Sequence, residues 1–91
     1  NSQEVMDDRF TIRRQLVKIR DVLRDKVSVP FEELFEDDAP KMEMIVTFMA
    51  LLDMLMRGEI SIKQPRPYEK ITITAKELRE DDEDAEYMDE Q

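Results

Sequence analysis

Residues 41–57, KMEMIVTFMALLDMLMR, form the most apolar run of the chain and largely decide its fold. Pro40 precedes this run, and Gly58, the only glycine in the sequence, follows it directly. Proline suits the start of a helix, and a glycine just after an apolar periodic segment is typical of a helix C-terminus. The run therefore predicts a helix of about four to five turns.

This helix is apolar around too much of its circumference for a single buried face. One stripe at helical spacing, expected to face the core, consists of Ile45, Phe48, Met49, Leu52 and Leu55 or Met56. A second set spreads beyond that stripe and consists of Met44, Leu51 and Met54. A small domain readily buries one helix face, so the surplus predicts a second surface that binds a partner. The alternative is that the whole set is core.

Composition excludes several classes of chemistry. The 91-residue chain has no cysteine and no histidine, which excludes a disulfide scaffold, a Cys–His or Ser–His nucleophile pair and a metal site built on these ligands. A single glycine excludes a phosphate-cradling loop. The acidic clusters at 36–38 and 81–84 lack the spacing of a calcium-binding loop. We expect no enzyme activity, no cofactor and no metal.

The acidic charge lies mainly at one end of the chain. Residues 75–91 hold nine acids against Lys76 and Arg79, within a net charge of −9 for the whole chain. This composition predicts a solvated, disordered tail after a domain at 11–74, with residues 1–10 as a flexible lead-in. The first residue is Asn1, so we expect a piece of a longer protein. The 41–57 run is short for a bilayer span and contains two acids, so no transmembrane segment is expected. The absence of cysteine fits a reducing cytoplasm, which is the expected location.

The remaining segments alternate between the two periodicities of regular structure. Thr11 is placed to cap a helix whose apolar residues, Ile12, Leu16, Ile19 and Leu23, recur at steps of four, three and four. After Gly58 the period falls to two, which predicts an antiparallel hairpin around an exposed loop. The predicted order is helix, short strand, helix, helix, strand, loop and strand, at 12–26, 27–29, from 31, 41–57, 60–64, 65–70 and 71–74. This is the order of an α+β winged-helix domain, with three helices and a short sheet that ends in a C-terminal hairpin.

The first helix is strongly basic, which leaves two interpretations open. Its candidate phosphate contacts are Arg13, Arg14, Lys18, Arg20 and Arg24. They form either a solvated face with Lys18–Asp21 and Asp21–Arg24 pairs, or the contact surface of a DNA-binding winged helix. The 41–57 helix lacks base-reading side chains, and its methionines suit a hydrophobic protein surface instead.

Four ordered segments carry a family resemblance: FEELFED at 31–37 after Val27-Ser28, VTFMALLDM at 46–54, RGEISIKQ at 57–64 and ITI at 71–73. Together they resemble the C-terminal winged-helix domain of ScpA, the bacterial segregation and condensation family of kleisins. The likeness covers about residues 11–74. It implies docking on the cap side of an SMC ATPase head, within an SMC–kleisin condensin complex that acts in chromosome condensation and segregation. It also implies association with the nucleoid through SMC, and contact with ScpB only through regions absent from this chain. No membrane and no direct nucleic-acid contact are expected.

The resemblance also indicates where the SMC head would bind. Its head-contacting apolar positions fall on Phe48 and Leu52. The wider predicted interface adds Met44, Leu51, Leu55, Ile60, Ile62 and Tyr68. A third possibility is homodimerisation through the methionine-rich helix.

Overall fold

A computed structural model describes residues 11–81. Within this range the chain forms two α-helices, one 3-10 helix and a three-stranded antiparallel sheet. The elements in chain order are α1 (Ile12–Lys26), β1 (Ser28–Pro30), the 3-10 helix (Phe31–Leu34), α2 (Lys41–Met56), β2 (Ile60–Lys63) and β3 (Thr72–Ala75). The predicted α+β class is confirmed.

The middle helix differs from the prediction, because it is a single 3-10 turn and not an α-helix. Pro30 fixes its start, and Phe35 already has extended backbone at φ −132°. Only nine residues separate the two prolines that bound this segment, Pro30 and Pro40. Because the first turn of a helix is costly to form, a segment this short gains little by continuing as an α-helix.

Helix α1 has the bounds that its periodicity predicts. The Arg14 backbone N–H donates to Thr11 Oγ1 at 3.2 Å, which confirms Thr11 as the N-cap. The helix ends at Val27, whose N–H donates to the Leu23 carbonyl at 2.8 Å while its backbone takes φ 67° and ψ −44°. Positive φ is rare for a β-branched residue, so this junction holds backbone strain.

The three strands are ordered β1-β3-β2, with β3 in the centre and both pairs antiparallel. Ile73 lies opposite Val29 on one side and Ile62 on the other, so the predicted hairpin between β2 and β3 is confirmed. Strand β1 runs one residue later than predicted and includes Pro30. An edge strand tolerates proline at a position where its backbone needs no N–H to pair with the neighbouring strand. Strand β3 includes Ala75, one residue beyond the predicted end of the domain.

Helix α2 ends in a Schellman motif around Gly58. The Gly58 N–H donates to the Leu55 carbonyl at 3.1 Å, and the Glu59 N–H donates to the Met54 carbonyl at 2.9 Å. Gly58 has φ 80°, a conformation that costs glycine little. This confirms the predicted helix end and starts strand β2 immediately after it.

One hydrophobic core joins the helices to the sheet. Helix α1 packs along helix α2, and the sheet covers the core on one side. Its buried members are Leu16, Ile19, Leu23, Val29, Leu34, Ala50, Leu51, Met54, Ile60 and Ile73.

Candidate protein-docking surface

The face of α2 that packs on the rest of the domain is only partly apolar. Its buried residues are Glu43, Val46, Thr47, Ala50, Leu51 and Met54. Two of them are polar and bind α1: Gln15 Nε2 donates to Thr47 Oγ1 at 2.7 Å, and Lys18 Nζ lies 2.9 Å from Glu43 Oε2. Ala50, fully buried, is a small side chain that permits the helices to approach closely. The inner face of α2 therefore combines two polar side chains and a small one with the apolar Val46, Leu51 and Met54.

The outer face of α2 is apolar and exposed. Its exposed apolar residues range from 40% accessible at Leu55 to 53% at Phe48 and 86% at the C-terminal Met56. We call the central part of this surface the docking face; it consists of Met44, Ile45, Phe48, Met49, Leu52 and Leu55. Soluble domains rarely leave a contiguous apolar patch of this kind without a partner.

The expectation that the Ile45–Phe48–Met49–Leu52 stripe is core is therefore wrong. This stripe faces solvent, and the face centred on Ala50 faces the domain. Periodicity cannot choose between two faces that are both rich in apolar residues. Helix α1 decides which face of α2 is buried. Gln15 and Lys18 of α1 bind Thr47 and Glu43, and these two α1 side chains would lack polar partners if the apolar stripe faced them.

A groove opens at the N-terminal half of the docking face, next to the 3-10 helix. It has a volume of about 390 Å³ and is lined by Phe31, Lys41, Met44, Ile45, Phe48 and Met49. Phe31 is held there by an edge-to-face ring contact with Phe35, at 5.1 Å between centroids. Its backbone N–H also donates to the Ile71 carbonyl at 2.8 Å. Lys41 supplies the only charge among the lining residues, so the groove suits an apolar side chain with an acidic neighbour.

The structure separates the predicted interface residues into four groups by their place and exposure. Phe48, Leu52, Met44 and Leu55 are exposed on the docking face, as a binding surface requires. Tyr68 is also fully exposed, but it lies on the loop between β2 and β3. Ile62 is half-buried and packs against the core.

Two of the predicted interface residues cannot contact a partner. Leu51 is 2% exposed and Ile60 is 1% exposed, so assigning them to the interface was wrong. Leu51 lies next to Ala50 on the inner face of α2, and Ile60 begins β2 directly behind the helix end. Both are members of the core.

The basic residues of α1 do not form the phosphate-binding patch that was considered. Arg20 is fully buried, with Nε and Nη2 at 2.9 and 3.0 Å from the two carboxylate oxygens of Glu59, so its assignment as a DNA contact was wrong. Lys18 pairs with Glu43 and not with Asp21, whereas the predicted Asp21–Arg24 pair is present at 3.0 Å.

The two remaining candidates lie near the start of α1. Arg14 is exposed, and Arg13 is half-buried with its Nε shielded from solvent and without a hydrogen-bond partner. These two arginines on one turn are fewer than half of the five-residue patch that the sequence suggested. The geometry of α1 therefore does not favour DNA binding by this helix.

Glu59 is the important residue that sequence reasoning missed. Besides the pair with Arg20, its carboxylate accepts the Arg79 backbone N–H at 3.0 Å, and its carbonyl accepts the N–H groups of Lys76 and Glu77. A signal for the buried pair exists on α1, because Arg20 follows Leu16 by four residues and thus shares its face. No comparable signal marks Glu59.

Two further features concern residues 11–81 only. In this range, no cluster of three or more Asp, Glu, His or Cys side chains is arranged to hold a metal ion. None of the helices described has both the length and the apolar character needed to cross a bilayer.

Fold and surface together define a small α+β domain whose longest helix exposes an apolar face. Comparison with known proteins agrees with this class. Residues 3–76 match the family model described as Segregation and condensation protein ScpA. The chain belongs to the ScpA family.

Individual relatives are similar to a modest degree. Segregation and condensation protein A of Lactococcus lactis subsp. cremoris (strain MG1363) is 28% identical over 85 residues, which cover 86% of this chain and 35% of that protein. The protein of the same name from Clostridium perfringens (strain 13 / Type A) is 32% identical over 71 residues, which cover 78% of this chain and 29% of that protein. The chain thus spans about a third of the length of these relatives.

Proposed function

We propose that this chain is the C-terminal winged-helix domain of an ScpA kleisin and docks on the cap side of an SMC ATPase head. Docking would help assemble the SMC–kleisin condensin complex for chromosome condensation and segregation, in the cytoplasm and at the nucleoid through SMC. The role is structural and not enzymatic. Contacts with ScpB belong to regions of the protein outside this chain.

The observation that supports this proposal most is the exposed apolar face of α2. The helix buries Glu43 and Thr47 against α1 and leaves Phe48 and Leu52 in solvent. Exposed apolar area is costly in water, at about 25 cal/mol for each Å² that a partner could cover. An exposed apolar helix face of this kind is typical of a surface that another protein covers.

Fold and family support the finer assignment. The order of α1, β1, the 3-10 helix, α2 and the β2–β3 hairpin follows a winged-helix domain if the 3-10 turn replaces the second helix. In that arrangement α2 takes the place of the recognition helix, and the β2–β3 loop takes the place of the wing. The docking face carries no base-reading side chains, so α2 suits a protein and not a DNA groove.

Binding to a purified SMC head tests the proposal through two substitutions at the centre of the docking face. Phe48→Arg and Leu52→Lys place a charge among apolar contacts, and each is expected to weaken head binding by about 2 kcal/mol or more, roughly 30-fold. Because both side chains are exposed, the helical circular-dichroism spectrum and the unfolding midpoint should stay unchanged.

Asp25→Arg is the matched control. Asp25 is exposed on α1, which packs against the opposite side of α2, and its substitution changes the charge more than Phe48→Arg does. We expect near-normal head binding by this variant. Full head binding by Phe48→Arg and Leu52→Lys would overturn the proposal. Light scattering of the free chain tests the alternative of homodimerisation. If the wild-type chain is dimeric and the two substitutions make it monomeric, the docking face binds a second copy of the chain.

A further inference from the structure

The loop between β2 and β3 contains a tight turn with an unusual residue at its tip. The Glu69 N–H donates to the Arg66 carbonyl at 3.1 Å, Pro67 occupies the second position, and Tyr68 at the third position has φ 69°. This is the pattern of a type II turn, in which the third position strongly favours glycine. Gln64 Nε2 closes the base of the loop by donating to the Glu69 carbonyl at 2.9 Å.

Tyr68 holds this strained backbone without any packing that would compensate for it. Its side chain is fully exposed, so no core contact explains why a tyrosine occupies a glycine position. Strained backbone at an exposed side chain is a known mark of a functional position, because the surrounding structure must impose it. Pro67 and the two loop hydrogen bonds impose it here and keep the phenol ring pointing into solvent.

The same hairpin is one of two basic segments of an acidic protein, the other being α1. Residues 60–76 contain Lys63, Arg66, Lys70 and Lys76 against the single acid Glu69, a net charge of +3, in a chain whose net charge is −9.

The nearest carboxylates leave most of this basic charge available. Arg66 Nη1 lies 3.8 Å from Glu69 Oε2, and Lys70 Nζ lies 3.6 Å from Glu32 Oε2. All four side chains are exposed, and such long surface pairs contribute little and are easily displaced. An anionic partner can therefore compete for both cations.

We propose that the 64–70 loop, together with Lys63, binds the backbone of duplex DNA without sequence preference. The cations Lys63, Arg66 and Lys70 contact successive phosphates, and the Tyr68 ring packs against the sugars or the edge of a groove. This surface differs from the α1 patch, whose arginine at position 20 is buried, and from the docking face of α2. The inference goes beyond the proposed head docking and does not depend on it.

Duplex DNA fits these features better than an acidic protein surface does. The loop is narrow and braced by two prolines, Pro65 and Pro67, so it can enter a groove between two lines of phosphates. The cations flank the turn on both sides, which matches a repeating line of charge. Gln64, the one amide side chain in this stretch, is bonded to the Glu69 carbonyl, and the exposed cations are assigned to phosphates, which is why no sequence preference is expected.

Fluorescence anisotropy of the full 91-residue chain with a short labelled duplex tests the inference. With about three phosphate contacts, the logarithm of the binding constant should fall against the logarithm of salt with a slope of about −2.7, so affinity drops roughly 40-fold between about 50 and 200 mM salt. The double substitution Arg66→Glu, Lys70→Glu should reduce binding at least tenfold and make the slope shallower by about two.

Two substitutions of Tyr68 distinguish the contribution of its side chain from that of its strained backbone. Tyr68→Phe keeps the ring and should retain the wild-type affinity within about twofold. Tyr68→Gly relieves the turn, so it should raise the stability of the fold and yet weaken DNA binding about tenfold. Neither should alter the salt slope.

Three outcomes would overturn the inference: no salt-sensitive DNA binding by the wild-type chain, binding unchanged by the Arg66→Glu, Lys70→Glu variant, or binding unchanged by Tyr68→Gly. A parallel titration with the SMC head shows whether the loop serves the other partner. Loss of head binding and not of DNA binding in the Tyr68→Gly variant would assign Tyr68 to the protein interface.

Discussion

The buried pair of Arg20 and Glu59 is the most consequential single interaction in the described part of the chain. The guanidinium and the carboxylate bond at two points, and both side chains are inaccessible to solvent. Each member of the pair makes a further hydrogen bond. Arg20 Nη1 donates to Asp81 at 3.3 Å, and the Glu59 carboxylate accepts the Arg79 N–H. The pair links α1 to the junction between α2 and β2, and thereby fixes the orientation of the hairpin.

Removing one member of this pair should destabilise the domain strongly. Glu59→Ala removes the buried, two-point partner of the Arg20 charge, so we expect a loss of about 3 kcal/mol in the free energy of unfolding. Urea denaturation followed by circular dichroism measures the loss. Asp21→Ala, which breaks the exposed pair with Arg24, should cost less than about 1 kcal/mol and serves as the control. Similar stabilities for the two variants would show that the buried pair contributes little.

Val27 offers the opposite case, a position where a smaller residue should stabilise the fold. Its φ of 67° is fixed because its N–H donates to Leu23 and its carbonyl accepts from Ala75. Val27→Gly relieves the strain at some entropic cost and should raise the free energy of unfolding by about 1 kcal/mol. The same substitution at Val22, inside α1, should lower it by about 1 kcal/mol or more. Destabilisation at both positions would contradict the strain at Val27.

At the scale of single elements, α2 shows where sequence reasoning succeeds and where it stops. Pro40 and Gly58 marked its two ends correctly, because the chemistry of capping is local. The choice of inner face was wrong, because it depends on hydrogen bonds to Gln15 and Lys18, which lie more than twenty residues away. The surplus of apolar surface was nevertheless predicted correctly, since it follows from composition alone.

Neighbouring leucines on α2 give a direct check of its orientation. Leu51 is buried and Leu52 is 42% exposed, although the two residues are adjacent and chemically identical. Leu51→Ala should lower the free energy of unfolding by about 3 kcal/mol, because it leaves a cavity in the core. Leu52→Ala should change it by less than about 0.5 kcal/mol. Equal losses, measured by urea denaturation, would show that α2 is rotated relative to the structure described here.

The 3-10 turn and the acidic segment after β3 could not be derived in the same way. A segment of a few residues between two prolines carries no period that distinguishes a 3-10 turn from an α-helical one. The composition after Thr74 indicates a solvated tail, yet Leu78 packs against the core and residues 76–81 bind Glu59 and Arg20. These contacts depend on a buried partner that composition does not reveal. The part of the predicted tail at 82–91, like the predicted lead-in at 1–10, lies outside the described residues.

For the whole molecule, these contacts predict that the domain extends to Asp81. A chain ending at Asp81 keeps Leu78 and the Arg79 N–H bond to Glu59, whereas a chain ending at Ala75 loses both. The shorter chain should be less stable by about 2 kcal/mol, because it exposes a packed leucine and leaves the Glu59 carboxylate with one bond fewer. Comparing the urea midpoints of the two chains measures this difference. Identical midpoints would place the end of the domain at the sheet.

The claim that α2 docks outward on an SMC head is tested most directly by its own methionines. Met44 and Met49 lie on the docking face, while Met54 is fully buried on the inner face of the same helix. In a chain with ¹³C-labelled methionine methyls, cross-saturation from an unlabelled SMC head reports which methyls lie at the interface. We expect strong attenuation of the Met44 and Met49 signals and little change at Met54. Unchanged Met44 and Met49 signals while the head is bound would contradict outward docking of α2.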